Sequence, residues 1–264
     1  MDHTQVKNMK NFSIKLSFTF LFLGLSINLF AQLPEEIKWQ HLKKTYNKDS
    51  TEMILSLNDK LLQGEYKIPF DEGGFALYTV KKGLITGEAF WYTQGGRIES
   101  KLHYKNGVRN GLKENYDTND QVWLSQEYKD GKQHGSSAMY KDGKIINKSE
   151  YKAGKKDGLS LTYSGDQLST EGNYQNDLRN GVFRVYNNGQ IITENNYKDD
   201  LQEGLSTSFM MGKKKMDSSY EKGKRHGVSR MYKPDESILF ESYYLFGEKV
   251  TKSAFEKYQE KDQK

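Results

Sequence analysis

The stretch from Tyr128 to Tyr163 reads YKDGKQHGSSAMYKDGKIINKSEYKAGKKDGLSLTY, and its internal echo decides the fold. Tyr128 and Tyr151 open two similar segments, YKDGKQHGSSAMY and YKAGKKDGLSLTY. Outward from that pair, YKNGVRNGLKENY begins at Tyr104, YQNDLRNGVFRVY at Tyr174, YKDDLQEGLSTSF at Tyr197 and YEKGKRHGVSRMY at Tyr220. An earlier copy, VKKGLITGEAFWY, begins at Val80. The second glycine of each copy (Gly87, Gly111, Gly135, Gly158, Gly181, Gly204, Gly227) recurs at intervals of 24, 24, 23, 23, 23 and 23 residues. Five residues after each stands an aromatic: Tyr92, Tyr116, Tyr140, Tyr163, Tyr186, Phe209 and Tyr232. Seven copies in register are the signature of a repeat architecture. A degenerate copy around Gly64, ending in Phe70, reads as a capping repeat over 57–79. The pattern lapses again near Tyr244 and Gly247, as a stacked array requires where its end faces meet water.

Within a copy, Leu159, Leu161 and Tyr163 share one parity, and period-2 spacing among Tyr, Val and Thr reads as a strand. Tyr-Lys-Asp-Gly (140–143) and Tyr-Asn-Asn-Gly (186–189) then read as tight turns in which glycine supplies positive φ. A second strand follows, such as 144–151 or 190–197, and residues 152–157 read as the turn that leads to the next glycine. Each copy is one β-hairpin. The prediction is an all-β chain, a single-layer antiparallel meander over 80–243 with two strands per copy, about 65 Å across at ~4.8 Å per strand. Apolar residues make up only 35% of the chain but aromatics 13%, so the burial is expected from two aromatic columns. One is Tyr104, Tyr128, Tyr151, Tyr174, Tyr197 and Tyr220; the other is the aromatics that follow the glycines. Each ring can bury ~150–250 Å².

The flanks read as short helices. Pro34-Glu35-Glu36 opens a helical pattern over 32–56, with Ile37, His41, Leu42 and Tyr46 on one side. Ser253 to Lys261, with Phe255 and Tyr258 three apart, reads as a cap within 244–264 that covers a sheet edge. Residues 1–31 read as a secretory signal: Lys7, Lys10 and Lys15, then an apolar run from Leu16 to Phe30, then Ala31 before Gln32. Met9 opens the more typical signal, and Met1 to Asn8 has the look of an upstream start. The expected mature chain begins at Gln32 and is exported to the periplasm, cell envelope or medium. Of 40 basic and 35 acidic residues, 1–31 hold three and one, leaving 37 − 34 = +3. That balance is not the basic face of a nucleic-acid binder.

The Tyr-x-x-Gly-x-x-x-Gly-x-x-x-x-Tyr spacing, carried well by 80–243 and loosely by 57–79, resembles the MORN repeat in its bacterial variant form. Asp177 and Asp200 depart from it in place of the first glycine, which is expected to weaken those turns. Similar bacterial proteins are often labelled MORN repeat protein or toxin–antitoxin system antitoxin. The resemblance therefore implies a scaffold that binds a partner, or an antitoxin that neutralises a toxin directly. Within this sequence the flanks are too short for the kinase or methyltransferase domain that gives many such proteins their activity.

The residues point the same way. With no Cys there is no thiol nucleophile, disulfide or Cys-based metal site. No G-x-S-x-G or HExxH occurs, so neither catalytic residues, a metal nor a cofactor is expected. His134 and His226 precede the second glycine, in a column otherwise holding Thr86, Asn110, Asp157, Asn180 and Glu203, which reads as a turn position; His41 and His103 have no partner motif. Asp71, Glu72, Asp117, Asp120, Asp199 and Asp200 also fall at turns, and Asp117-Thr118-Asn119-Asp120 lacks the spacing of a calcium loop. Lys213, Lys214, Lys215, Lys222, Lys224 and Arg225 lie within 13 positions and are candidates for contact with an anionic membrane surface or glycan. An exposed tyrosine row would offer a stacking platform for polysaccharide, and an envelope hydrolase acting on glycans through a pair of carboxylates is the weaker alternative. The leading expectation is an exported, non-catalytic protein that presents an extended sheet to a protein or envelope partner.

Overall fold

The computed structural model describes residues 34–46 and 53–262; the expected leader, 1–31, lies outside them. In chain order the strands are β1 (Glu35–Glu36), β2 (Lys43–Tyr46), β3 (Met53–Leu57), β4 (Lys60–Leu61), β5 (Gly64–Pro69), β6 (Phe75–Lys81), β7 (Leu84–Ile85) and β8 (Gly87–Tyr92). The regular array continues with β9 (Ile98–Lys105), β10 (Val108–Tyr116), β11 (Val122–Lys129), β12 (Lys132–Lys141), β13 (Lys144–Lys152), β14 (Lys155–Ser164) and β15 (Gln167–Gln175). It closes with β16 (Leu178–Asn187), β17 (Gln190–Lys198), β18 (Leu201–Met210), β19 (Lys213–Glu221), β20 (Lys224–Tyr232), β21 (Ile238–Leu245), β22 (Glu248–Val250) and helix α1 (Lys252–Asp262). From β8 to β22 each strand pairs antiparallel with the next, as in β12–β13, β13–β14 and β14–β15, to give one open meander. The seven glycines and their partner strands occupy β8 through β21, fourteen strands as the repeat count predicts.

The turns show why the chain reverses where it does. Asp142 and Gly143, at φ 52° and 74°, and Asn188 and Gly189, at φ 48° and 75°, are both left-handed, the geometry of two-residue type I′ hairpins. The other end of each hairpin departs from expectation. The reversal is a two-residue turn at Ala153 and Gly154, not the whole of 152–157, and Lys155 and Lys156 already pair with Lys152 and Tyr151. Gly158 therefore sits inside a strand. Its φ of +121° and the register shift opposite Ser149–Tyr151 mark a bulge, where one extra stretch of backbone bends the strand. The same shift recurs beside Gly111, Gly181 and Gly227, so the sheet carries a line of bends. Beyond it the hairpin tips stack on one another. A turn N–H donates to the repeat before it: Gly131 to Arg109 O, Gly154 to Gln133 O, Gly223 to Gln202 O.

The positions read as weakened turns are linked twice. Asp177 N–H donates to Lys156 O, and its carboxylate accepts Lys156 N–H at 2.7 Å; Asp200 and Arg179 repeat this at 2.9 Å. Asp tolerates the left-handed backbone and adds an acceptor that glycine lacks.

The aliphatic core lies at the N-terminal end, where Leu55, Ile68, Ala76, Val80 and Ala89 are fully or almost fully buried. Here the expected N-terminal helix is corrected. Glu35–Glu36 is a strand parallel to β5, and among the described residues of the flank only one turn of 3-10 helix forms, at Trp39–His41. Ile37 and Leu42 both reach the core while Tyr46 stays 59% exposed, which one helical stripe would not permit. Burying the two aliphatics along an extended path outweighs the weak stability of so short a helix. At the other end α1 forms as read. Thr251 Oγ1 caps it through Ala254 N–H, Phe255 is buried against Tyr243, and Tyr258 meets His226 and Phe246 at ring distances of 5.7 Å.

Candidate functional site

Alternation along the strands sorts the array's side chains onto two faces, and the register aligns them in rows across it. One row runs Ala89, Leu102, Lys113, Gln126, Ser137, Ser149, Ser160, Gly172, Phe183, Asn195, Ser206, Ser218, Ser229 and Ser242, one residue per strand from β8 to β21. Ser149 and Ser218 are only 2% exposed. Their hydroxyls are satisfied within the row: Ser149 bonds Ser160 at 2.8 Å, Ser218 bonds Ser229 at 2.7 Å, and Ser206 donates to Asn195 at 2.6 Å. The row borders the line of bends. Side chains from beyond the bend reach over it, Lys156 Nζ donating to Ser160 and Gln202 Nε2 to Asn195, so small residues fill the crease they cover.

Beyond the bend on the same face lies the column of leading tyrosines. Each cation two residues before a bulge glycine stands opposite one tyrosine and over the next. Lys156 pairs with Tyr151 and sits 4.6 Å from the Tyr174 ring; Arg179 pairs with Tyr174 and sits 4.0 Å from Tyr197; Arg225 pairs with Tyr220 and sits 5.2 Å from Tyr244. Same-column tyrosines are two strands, about 9.6 Å, apart, so a cation fills the gap that rings alone cannot bridge. The column before the second glycine caps the next tip: His134 Nδ1 accepts Ala153 N–H, Asp157 accepts Asn176 N–H, and Glu203 accepts Lys222 N–H at 2.8 Å. The column is therefore not a turn position as read: His134 lies within β12 and His226 within β20, one residue before the bulge glycine, and each reaches the next turn from inside its strand. Asp117 closes its own hairpin turn by accepting Asn119 and Gln121 N–H.

The aromatics after the glycines point to the opposite face, so the two columns do not meet as one core. Tyr92, Tyr116, Tyr140, Tyr163, Tyr186, Phe209 and Tyr232 are all half-buried. On that face they join a charged ladder. Arg184 holds Glu171 at 2.7 Å and Glu194 at 2.6 Å, and Tyr186 donates to Glu171. Arg184 and then Tyr186 keep the Glu171 carboxyl below its ordinary range. Tyr232 donates to buried Asp217, and Tyr116 to Glu114; burial first, then Glu114, pushes the Tyr116 phenol up to about 12. Phe209 stands where no such hydroxyl reaches Glu194.

Of the six basic candidates, Lys213, Lys214 and Lys215 open β19, whereas Lys222 follows its other end and Lys224 and Arg225 open β20. Seven steps of chain from Lys215 to Lys222, about 23 Å, separate the two groups. Lys213 donates to Pro234 O and Arg225 to the Tyr244 hydroxyl. The six do not form one patch.

The surface left open on the serine face is the next row: Asn115, Leu124, Met139, Asn147, Thr162, Thr170, Val185, Thr193, Ser208, Met216, Met231 and Phe240. Hydroxyls and amides fill its middle, and Met216, Met231 and half-exposed Phe240 its far end. Nothing in the chain's local sequence announces this row, because it emerges only from the bulge-shifted register. Separately, a cleft of about 520 Å³ opens at the N-terminal end beside Trp39, Ile68, Phe70 and Tyr78. Among the described residues no three His, Asp or Glu side chains are close enough to share a metal ion. No protein-family model matches the chain, and no curated protein matches it.

Proposed function

We propose that this chain is an exported, non-catalytic binding protein, a MORN-type array whose serine face docks a protein partner in the cell envelope. The observation that carries the reading is the open row from Asn147 to Phe240, a run of half-buried hydroxyl, amide and methionine side chains ending in exposed Phe240, spaced one per strand along the ladder. Such a row offers regularly spaced hydrogen-bonding groups, and Met216, Met231 and Phe240 supply an adaptable apolar anchor. Export is supported by the basic, apolar and small-residue order of 1–31.

A tagged chain purified from the envelope fraction tests it. One partner should co-purify in stoichiometric amount with the wild type and with Leu161→Arg, on the opposite face, and be lost from Thr162→Arg with Thr193→Arg. Equal retention by both variants, or no stoichiometric partner in that fraction, overturns the reading.

A further inference from the structure

The serine row is broken near its start. Where later strands place serine, β10 places Lys113, between Leu102 and Gln126 in the crease. Lys113 is half-buried, and burial together with the neighbouring Arg109 guanidinium holds its ammonium below the usual lysine range. Among the described residues neither cation joins an ion pair, although Lys101 on the next strand is held 2.8 Å from Glu88. Two adjacent cations without a counter-charge cost the fold free energy, and a site that tolerates such a cost is a candidate for an anion. A second observation lies two residues on. Asn115 Oδ1 is buried with no hydrogen-bond partner, an acceptor waiting for a donor.

Both residues line one groove of about 390 Å³, the size of a small-ligand site, with Trp91, Tyr104 and Trp123 on its walls. Glu99 stands exposed among the lining residues. The three requirements, a negative charge, a hydroxyl-type donor and an apolar face to lie against indole, coexist in few ligands. We propose that this groove binds an acidic saccharide, with the carboxylate of a hexuronate unit between Lys113 and Arg109, the Asn115 side chain turning its buried, unpartnered Oδ1 into the groove to accept a sugar hydroxyl, and the C–H face of the ring against the tryptophans. The positive C–H edge of a sugar complements the negative face of an indole. The proposal does not depend on what the later rows bind: it concerns β8–β11, and the partner test concerns β14 and beyond.

The test is calorimetric titration of the full chain with short oligomers of galacturonate, glucuronate and mannuronate, alongside their methyl esters and sodium sulfate, with tryptophan fluorescence as a second signal. At least one acidic oligomer should bind ten-fold or more tighter than its ester, and weaken in 0.5 M salt. Lys113→Met should abolish that difference while leaving the melting temperature unchanged or higher, because it removes an unpaired half-buried charge. Arg109→Gln, at an exposed position, serves as the second variant and should weaken the acidic oligomer alone. Binding of none of the three oligomers, equal binding of acid and ester, or displacement by sulfate at matched concentration overturns the proposal.

Discussion

The pair Gly172 and Phe183 stands in the middle of the serine row, and exchanging both for serine tests whether the row is a packed ladder. Gly172 has an ordinary backbone, so serine meets no conformational penalty there. What forbids it is the ring opposite. A Cβ on Gly172 would lie 2.5 Å from Phe183 Cε2 and closer still to Cδ2. Phe183 would have to leave its place, at a cost of about 1–3 kcal/mol. Phe183→Ser alone loses a half-buried ring, about half of the ~3–5 kcal/mol of full burial, and its edge contact with Tyr197 at 6.1 Å. If the two changes were independent, the double variant would lose about 2.5–5.5 kcal/mol. The ladder predicts otherwise. With the ring gone, Ser at 172 no longer clashes and can bond Ser160, recovering about 0.5–1.5 kcal/mol. The double variant should be no less stable than Phe183→Ser, a favourable coupling of about 1.5 kcal/mol or more. Urea unfolding followed by circular dichroism on all four proteins measures it. Costs that add within about 0.5 kcal/mol, or a Gly172→Ser single variant as stable as wild type, refute the packing.

Gly158→Val should cost about 1–3 kcal/mol for the backbone alone, with a Cβ 3.0 Å from Glu150 Cβ; a melting temperature unchanged by calorimetry would contradict the bulge. Asp177→Gly should destabilise slightly, by less than about 1 kcal/mol, because losing the acceptor of Lys156 N–H outweighs the relief of the left-handed backbone; a more stable variant in urea would show that the acceptor contributes nothing. On the alkaline side, the raised Tyr116 value means stabilisation is complete below the ordinary phenol value and is lost as pH rises through about 12. Absorbance at 295 nm should show a tyrosine fraction ionising together with loss of the β signal. Ionisation of all tyrosines near pH 10 with the fold intact would count against it. On the acid side, the depressed Glu171 value contributes stability above the ordinary carboxylate value of 4.5 that is lost as pH falls. Arg184→Met should therefore flatten the pH dependence of the urea midpoint below pH 5; an unchanged slope would remove the ion pair from the account.

The sequence is legible where a local rule acts. Asp142-Gly143 and Asn188-Gly189 demand left-handed backbone and receive it, and the spacing of Gly87 through Gly227 sets the number of strands. Phe255 and Tyr258, three apart after Thr251, mark the helix that forms. The glycine of each copy was harder to place, because a bend inside a strand and the start of a strand have the same local sequence. Gly158 differs from a turn glycine only by its cross-strand partners. That shift carries the serine row and the separation of the two aromatic columns, whereas the splitting of Lys213 from Arg225 follows from the length of β19. The N-terminal flank failed for another reason. Ile37 and Leu42 satisfy a helical spacing, but β5 and the residues of the aliphatic core, distant in sequence, reward an extended path. The Lys113–Asn115 groove had a signal that was available, since a lysine stands where a later copy aligns serine; it acquires meaning only once the row is known to be buried.

Thr162 and Leu161 are neighbours in β14 whose side chains point to opposite faces. Placing a photoreactive diazirine residue at each in turn, in cells, asks directly whether this sheet works by one face. The account predicts a discrete covalent adduct with one envelope protein from position 162 and none from position 161. Adducts of the same protein from both positions, or from 161 alone, would contradict it.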